Sequence, residues 1–198
     1  MTQYIEDNSA PEVRDFGLNT QENAVVGGTL TVTGGVAASG GFSISPRTLH
    51  TGGVAPAAAA DGTNVTPATT STYYAEVFVP ANVTLTGVAV FNGSAADGNV
   101  HVGLANSSGT IVAESNTTTA QSGTDTFQRV PFTSSYAAKG PATYYVLTQN
   151  STTTARFNAH AIGNFSAAAV TSQTYGTFTT LSPVTTFTAD VGPIATLY

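Results

Sequence analysis

From about residue 70 to the C-terminus, apolar and polar residues alternate with a period of two in short stretches. This period is typical of β-strands with one face in a core, and no stretch keeps a helical period for more than about one turn. The alternation predicts strands rich in Val, Thr, Tyr and Phe over Tyr73–Val79, Val83–Phe91, Val100–Ala105, Thr110–Glu114, Thr126–Phe132, Thr143–Thr148 and Ala155–Ala161. Weaker strands are predicted near Phe178, near Phe187 and over Ile194–Tyr198.

Turn residues separate the predicted strands. Asn, Asp, Gly and Pro favour turns because Gly and Asn accept a positive φ and Pro fixes its own φ. Such residues occur at Pro80–Asn82, Asn92–Ser94, Asp97–Asn99, Asn106–Gly109 and Lys139–Pro141. Short strands at this even spacing indicate an all-β fold, an antiparallel β-sandwich of the jelly-roll-like type over residues 71–198.

The first 70 residues have a different pattern, dominated by Gly, Ala and Pro with only brief alternation. We expect an extended N-terminal arm over residues 1–45, with one short strand between the glycine pairs that flank Thr29–Thr33, and a linker over residues 46–70. A strand of this size cannot bury its apolar side chains alone, so it needs the sandwich or another subunit as a partner. The apolar arm residues available for such contacts are Val13, Phe16, Leu18, Val25, Val26, Leu30 and Val32.

Charge is sparse in this chain. Only 8% of its 198 residues are charged, and the net charge is −6, whereas an average soluble protein has about 25% charged residues. We expect no nucleic-acid binding, because such binding is driven by counterion release from a basic patch, and the basic residues of this chain are scattered singly. They are Arg14, Arg47, Arg129, Lys139 and Arg156.

Several further classes of protein are disfavoured by what the sequence lacks. No apolar run approaches the roughly 18 residues of a membrane span, and Met1–Asn8 has neither the basic nor the apolar region of a signal peptide. We therefore expect no membrane partner and synthesis without a cleaved secretory signal. The chain contains no Cys, which removes disulfides, zinc–thiolate sites and thiol catalysis.

Candidate catalytic groups are few and carry no recognised motif. His101 alternates with Val100 and Val102, so we expect it on the opposite face of its strand as a surface or hydrogen-bonded residue. A glycosidase-type carboxylate pair, Glu76 with Glu114 or Asp125, stays open as the weaker alternative, because only three-dimensional separation decides it. The sequence predicts that the protein is not an enzyme.

Two short segments have the oxygen ligands that Ca²⁺ prefers, Asp97–Asn99 and Asp61–Asn64. Both are also ordinary turn sequences, since Asp and Asn bond to their own backbone and Gly takes a positive φ. The turn interpretation is the simpler one. We expect no metal site and no cofactor.

Two tyrosine pairs lie in predicted strands, Tyr73–Tyr74 and Tyr144–Tyr145. In a regular strand each pair directs one ring to the core and one to the opposite face. Tyr74 and Tyr145 are the candidates for that opposite face, where they would be buried in a core or subunit interface or, as a weaker alternative, stack on a sugar.

Two stretches resemble proteins of tailed-phage virions. The segment Val26–Gly35 is similar to the Gly-Thr-Leu-Thr-Val-Thr-Gly repeats of phage fibre and head-appendage proteins. The stretches Leu85–Ser94, Gly98–Thr110 and Thr143–Val146 resemble β-sandwich domains of phage virion proteins. The resemblance implies a virion structural protein, a homotrimer in which the arm strand packs with those of two other subunits.

The leading hypothesis is therefore a non-enzymatic protein that decorates or cements a phage capsid, or forms a head fibre. Its arm would bind the major capsid protein or another virion protein, at the capsid surface rather than the tail, after synthesis in the host cytoplasm. The alternative is a tail fibre or receptor-binding adhesin whose sandwich binds host glycan. A bacterial surface protein is a third hypothesis, disfavoured by the missing export signal.

Overall fold

The computed structural model describes residues 49–52 and 62–198, and its regular elements are β-strands. No helix that could cross a membrane occurs in these residues. The strands are β1 (Gly62–Val65), β2 (Thr72–Val79), β3 (Val83–Phe91), β4 (Val100–Asn106), β5 (Ile111–Glu114), β6 (Phe127–Ala138), β7 (Ala142–Asn150), β8 (Phe157–His160), β9 (Ala167–Val170) and β10 (Ala195–Leu197).

The strands form two principal antiparallel sheets. One has five strands in the order β5-β4-β7-β2-β9, and the other has three in the order β10-β3-β6. A short additional pair, β1 with β8, stands beside them. The predicted all-β sandwich is thus confirmed for the described part of the chain.

The pairing pattern is that of a rolled-up hairpin. Within the chain order, β4 pairs with β5, β3 with β6 and β2 with β7, and a bridge between His50 and Thr196 adds the outermost pair. Each pair encloses the one before it, and successive pairs fall in alternate sheets. This nested arrangement is the jelly-roll-like topology, with β1, β8 and β9 as additions to it.

The main core lies between the five-stranded and three-stranded sheets. Alternation selects its members, since every second residue of a strand faces the opposing sheet. The five-stranded sheet contributes Val77, Val79, Val100, Val102, Leu104, Tyr144 and Val146, and the other sheet contributes Leu85, Val88, Val90, Val130, Phe132, Ala138, Ala195 and Leu197.

A third layer covers part of the opposite face of the five-stranded sheet. This layer, which we call the C-terminal cover, is residues 171–187 between β9 and β10. Its apolar side chains Phe178, Leu181 and Val184 pack with Tyr74, Ala105, Tyr145 and Leu147 of the sheet. The sheet is therefore buried on both faces over much of its area.

Most predicted strands are present, with differences at particular places. β1 lies inside the segment 46–70 that the sequence analysis treats as a linker, and β9 was not predicted. The strands expected near Phe178 and Phe187 are wrong. Phe178 lies in the cover without ladder bonds, and Phe187 makes only a single bridge to Ala167.

A short segment before β1 joins the two sheets. Residues 49–52, which we call the N-terminal clip, contact the three-stranded sheet through Thr51 N–H, which donates to Ala195 O at 2.9 Å. They contact the five-stranded sheet through Gly52 N–H, which donates to Glu76 O at 3.0 Å. The arm residues predicted to bind partners, from Val13 to Val32, lie outside the described residues.

Candidate functional site

His101 lies beneath the C-terminal cover. It is fully buried, and its ring stacks on Phe178 with centroids 4.2 Å apart. Neither ring nitrogen has a hydrogen-bond partner among the described residues, and Nε2 is 3.6 Å from a carboxylate oxygen of Glu114. Burial lowers the pKa of His101, with Gln149 and the Glu114 charge opposing that shift in part. The expected opposite face is correct, but the expected surface or hydrogen-bonded environment is wrong.

The carboxylates considered for glycoside hydrolysis are far apart. Glu76 is on β2 and Glu114 ends β5, three strands away in the same sheet. At about 4.8 Å per strand this is about 14 Å, wider than the roughly 5–9.5 Å between the carboxyl groups of glycosidases. Asp125 precedes β6, a strand of the other sheet. The geometry gives no catalytic carboxylate pair among these three residues.

The Asp97–Asn99 segment is a turn whose polar atoms are satisfied from within the chain. Gly98 has φ +60°, and hydrogen bonds from Thr154, Thr152 and the backbone of Gly98 lower the pKa of Asp97. Within residues 49–52 and 62–198, no three His, Asp or Glu side chains come together as a metal ligand set. Asp61, in the second candidate loop, is not among the described residues.

Tyr74 and Tyr145 lie on the covered face of the five-stranded sheet. Their rings meet edge to face with centroids 5.8 Å apart, and their exposed fractions are 1% and 8%. The Tyr74 hydroxyl accepts a hydrogen bond from Val184 N–H at 3.2 Å, within the cover. Neither ring presents an open face on which a sugar could stack.

Beside Tyr145 the cover leaves an open cleft of about 280 Å³. Its floor is Glu76 and Tyr145, which face each other across β2 and β7. Phe165 and Phe187 form a wall, with ring centroids 5.1 Å apart at an interplanar angle of 62°. Polar residues complete the lining at Asn164, Ser166 and Thr185.

The local backbone sets this geometry. Ala167 N–H donates to Thr186 O at 3.2 Å and Thr188 N–H donates to Ala167 O at 2.9 Å, so the two loops that carry Phe165 and Phe187 run side by side. Gly163 is required here, because a Cβ at this position would overlap the Phe165 ring and come within 2.9 Å of Phe187.

The polar groups of the cleft floor are held at fixed positions. Ser166 N–H donates to Glu76 Oε2 at 3.1 Å, while the Ser166 hydroxyl donates to Val184 O. Burial, followed by the negative charge of Glu76, raises the pKa of Tyr145, which therefore keeps its proton at neutral pH. The floor thus combines a carboxylate acceptor with a neutral phenol.

A second cleft of about 280 Å³ lies between β5 and β6, lined by Ile111–Glu114 and Thr133–Ser135. Within the part of the chain that the structure describes, Glu114 is the only titratable residue of this cleft, and no aromatic ring lines it. The cleft beside Tyr145 is therefore the better candidate site.

Sequence reasoning identified Tyr145 but not Phe165, Phe187 or Asn164. The available signal was a phenylalanine in polar surroundings in each of two segments, Gly163–Ser166 and Thr185–Thr188. Comparison of the chain with protein-family models, with curated proteins and with solved structures found no match.

Proposed function

We propose that this chain is a non-enzymatic virion structural protein that decorates or cements the capsid of a tailed phage. In this proposal the N-terminal arm binds the major capsid protein or another virion protein, and the sandwich packs with two further copies in a homotrimer. The sequence resemblance described above supports it.

The N-terminal clip is the observation that carries the proposal. Thr51 and Gly52 follow the predicted arm along the chain, and their backbone N–H groups bond to both sheets. An anchoring arm needs such a fixed joint, because a contact made by the arm positions the domain only if the joint is rigid. The low charged fraction of 8% also suits a surface that lies close to identical copies, where like charges repel.

Immunogold electron microscopy of purified virions, with an antibody against residues 62–198, tests the location. Gold distributed over the head is the expected result, and particles that lack the protein are the control for unspecific label. Particles without the protein should also release their genome at a lower temperature. Absence of gold from intact virions would contradict decoration. Label on the head together with unchanged heat stability would contradict cementing.

The second candidate function is a tail fibre or receptor-binding adhesin whose sandwich binds host glycan. The cleft beside Tyr145 favours it, since aromatic rings next to fixed polar groups are typical of small-molecule sites. Gold confined to the tail tip in the same experiment would select this function over decoration.

A further inference from the structure

Three features of the cleft beside Tyr145 bear on what it can bind. The first is the aromatic wall. Phe165 and Phe187 meet edge to face, with ring centroids 5.1 Å apart and an interplanar angle of 62°, so the two adjacent rings line one side of the cleft rather than two opposed sides. A cage for a quaternary ammonium ion needs rings around the cation on several sides. One apolar wall instead suits a ligand with a single apolar face.

The second feature is the free hydrogen-bonding capacity of the floor. Only Oε2 of Glu76 is bonded to a described protein group, the N–H of Ser166, although a carboxylate has about four acceptor positions. Tyr145, which keeps its proton at neutral pH, is the cross-strand neighbour of Glu76 and lines the same cleft. Together they offer a strong acceptor and a donor to neighbouring hydroxyl groups of one ligand.

The third feature is the polar rim, which consists of the neutral residues Asn164 and Thr185, both exposed. An amide and a hydroxyl can each donate and accept, so they match further hydroxyl groups rather than a charge. Among the described residues, Glu76 is the only charged one that lines the cleft, and its negative charge opposes an anionic ligand.

We propose that this cleft binds the pyranose ring of a neutral saccharide. The apolar face of the sugar packs on Phe187 and Phe165, two adjacent hydroxyl groups bond to Glu76 and Tyr145, and Asn164 and Thr185 bond to the hydroxyl groups at the rim. This inference gives the ligand class for the second candidate function. It is independent of where a virion carries the chain.

A glycan array probed with the full-length chain tests the proposal. We expect binding to neutral oligosaccharides of hexoses or N-acetylhexosamines and none to their sialylated or sulfated counterparts. The tightest binder is then titrated by calorimetry against variants. Glu76→Gln removes the charge but keeps an acceptor for Ser166 N–H, and it should weaken binding about tenfold or more, because bonds to charged groups are the stronger ones.

Two further variants separate loss of binding from loss of folding. Phe187→Ala should abolish measurable binding, and Asn164→Ala, at an exposed position, should weaken it about three- to tenfold. Matched controls are Glu114→Gln, a carboxylate on the same sheet but outside the cleft, and Phe127→Ala, an exposed aromatic on the other sheet. Both controls should bind as the unaltered chain does, and circular dichroism checks the fold of every variant.

The proposal is overturned by an array without neutral binders, by a preference for acidic glycans, or by tighter binding of tetramethylammonium than of sugar. Equal affinity of Glu76→Gln, Asn164→Ala and the controls for the same sugar would also overturn it. These outcomes are distinct from failure of the virion proposal, which the gold label decides. A sugar-binding chain absent from virions, or a head-bound chain that binds no sugar, would separate the two.

Discussion

The hydroxyl of Thr51 connects parts of the chain that are far apart in sequence. It donates to Pro193 O at 2.8 Å and accepts from Ala195 N–H at 3.0 Å. Its distance to His160 Nε2 is 2.9 Å. With its proton donated to Pro193 O, the hydroxyl pairs with His160 when that histidine is neutral and protonated on Nε2.

Replacing this hydroxyl by a methyl group should destabilise the fold. In Thr51→Val the shape is kept, but Ala195 N–H, Pro193 O and His160 lose a buried partner. Leaving such groups unsatisfied costs about 1–3 kcal/mol, so we expect the free energy of unfolding to fall by about that amount. Urea denaturation measures it, and Thr84→Val at an exposed position is the control. A change below about 0.5 kcal/mol would show that Thr51 is not a stabilising hub.

Burial also makes the histidines sensitive to acid. It lowers the pKa of His160 from 6.5 to about 4, and it lowers the pKa values of His50 and His101 as well. As the pH falls below 6.5 the unfolded chain binds protons that the folded chain excludes. The stability that these neutral side chains provide is therefore complete above pH 6.5 and declines as the pH falls toward the folded-state pKa, about 4 for His160.

We predict a free energy of unfolding that is level from pH 6.5 to about pH 9, below the ordinary tyrosine pKa of about 10, and that decreases toward pH 4. Urea denaturation at a series of pH values measures it. His160→Gln retains an amide donor near Thr51 and does not titrate, so it should show a shallower decrease. The decrease that remains in this variant should come from the protonation of His50 and His101, whose pKa values are also lowered. Identical slopes for the two chains would assign the acid sensitivity to other groups.

At the scale of elements, the C-terminal cover depends on Gln149 of β7. Its Nε2 donates to Thr72 Oγ1 at 2.8 Å and to Thr177 O at 3.1 Å, and its Oε1 accepts from Gly176 N–H at 2.9 Å. This buried amide thus bonds the sheet to the turn at the start of the cover. Gly103 allows the Phe178 ring of the cover to pack closely on the sheet, since a Cβ at this position would lie 2.7 Å from that ring.

Loss of the Gln149 amide should loosen the cover before the sheets. In Gln149→Leu we expect faster hydrogen exchange at Leu181 N–H, a cover amide that bonds to Gly109 O and not to Gln149, about ten- to a hundredfold, with little change at the amides of β3 and β6. The reason is that local opening needs only the bonds that hold the cover, whereas the sheets exchange by larger unfolding. NMR measures both rates. Thr179→Ala, in the same segment but exposed, should leave exchange at Leu181 N–H unchanged. Uniform acceleration throughout the chain would contradict a separate cover.

Periodicity predicted those elements whose two faces differ in polarity. β2, β3, β4 and β7 face the main core with every second residue, and the sequence located each within a few residues. The sequence of β9 is Ala-Ala-Ala-Val and that of β1 is Gly-Thr-Asn-Val. In neither strand do apolar and polar residues alternate, so the sequence contains no periodic signal for them. The cover has apolar residues without a ladder, which is why Phe178 and Phe187 were mistaken for strand residues.

The candidate site was less predictable for the same physical reason. Tyr145 belongs to a periodic strand, but Phe165, Phe187 and Asn164 lie in loops whose position depends on long-range backbone bonds. The burial of His101 depends on Phe178, which is distant in sequence. Local patterns carry no information about such contacts.

At the scale of the whole molecule, the rolled-hairpin topology is complete within the described residues. Every strand that the structure describes lies within residues 62–198, and the clip at residues 49–52 completes the outermost pairing. The sandwich therefore has its own core and should fold without residues 1–45.

We predict that a chain truncated to residues 46–198 is folded and monomeric, whereas the full chain is a trimer. The expected trimer rests on the resemblance of Val26–Gly35 to phage fibre repeats and on the short strand predicted there, because such a strand needs a partner to bury its apolar residues. Multi-angle light scattering measures both masses, and thermal denaturation followed by circular dichroism confirms folding of the short form. A truncated chain that is still trimeric would place the subunit contacts on the sandwich itself.

The N-terminal clip has a mechanical consequence for any protein that is held by its arm. A force applied at residue 49 is shared by hydrogen bonds to four parts of the fold, because Thr51 and Gly52 contact all of them. These parts are β10, the loop before β10, β8 and β2. Bonds that share a load must break together, whereas bonds loaded in series break one at a time. The joint is therefore built to resist tension from the arm without transferring it to a single strand.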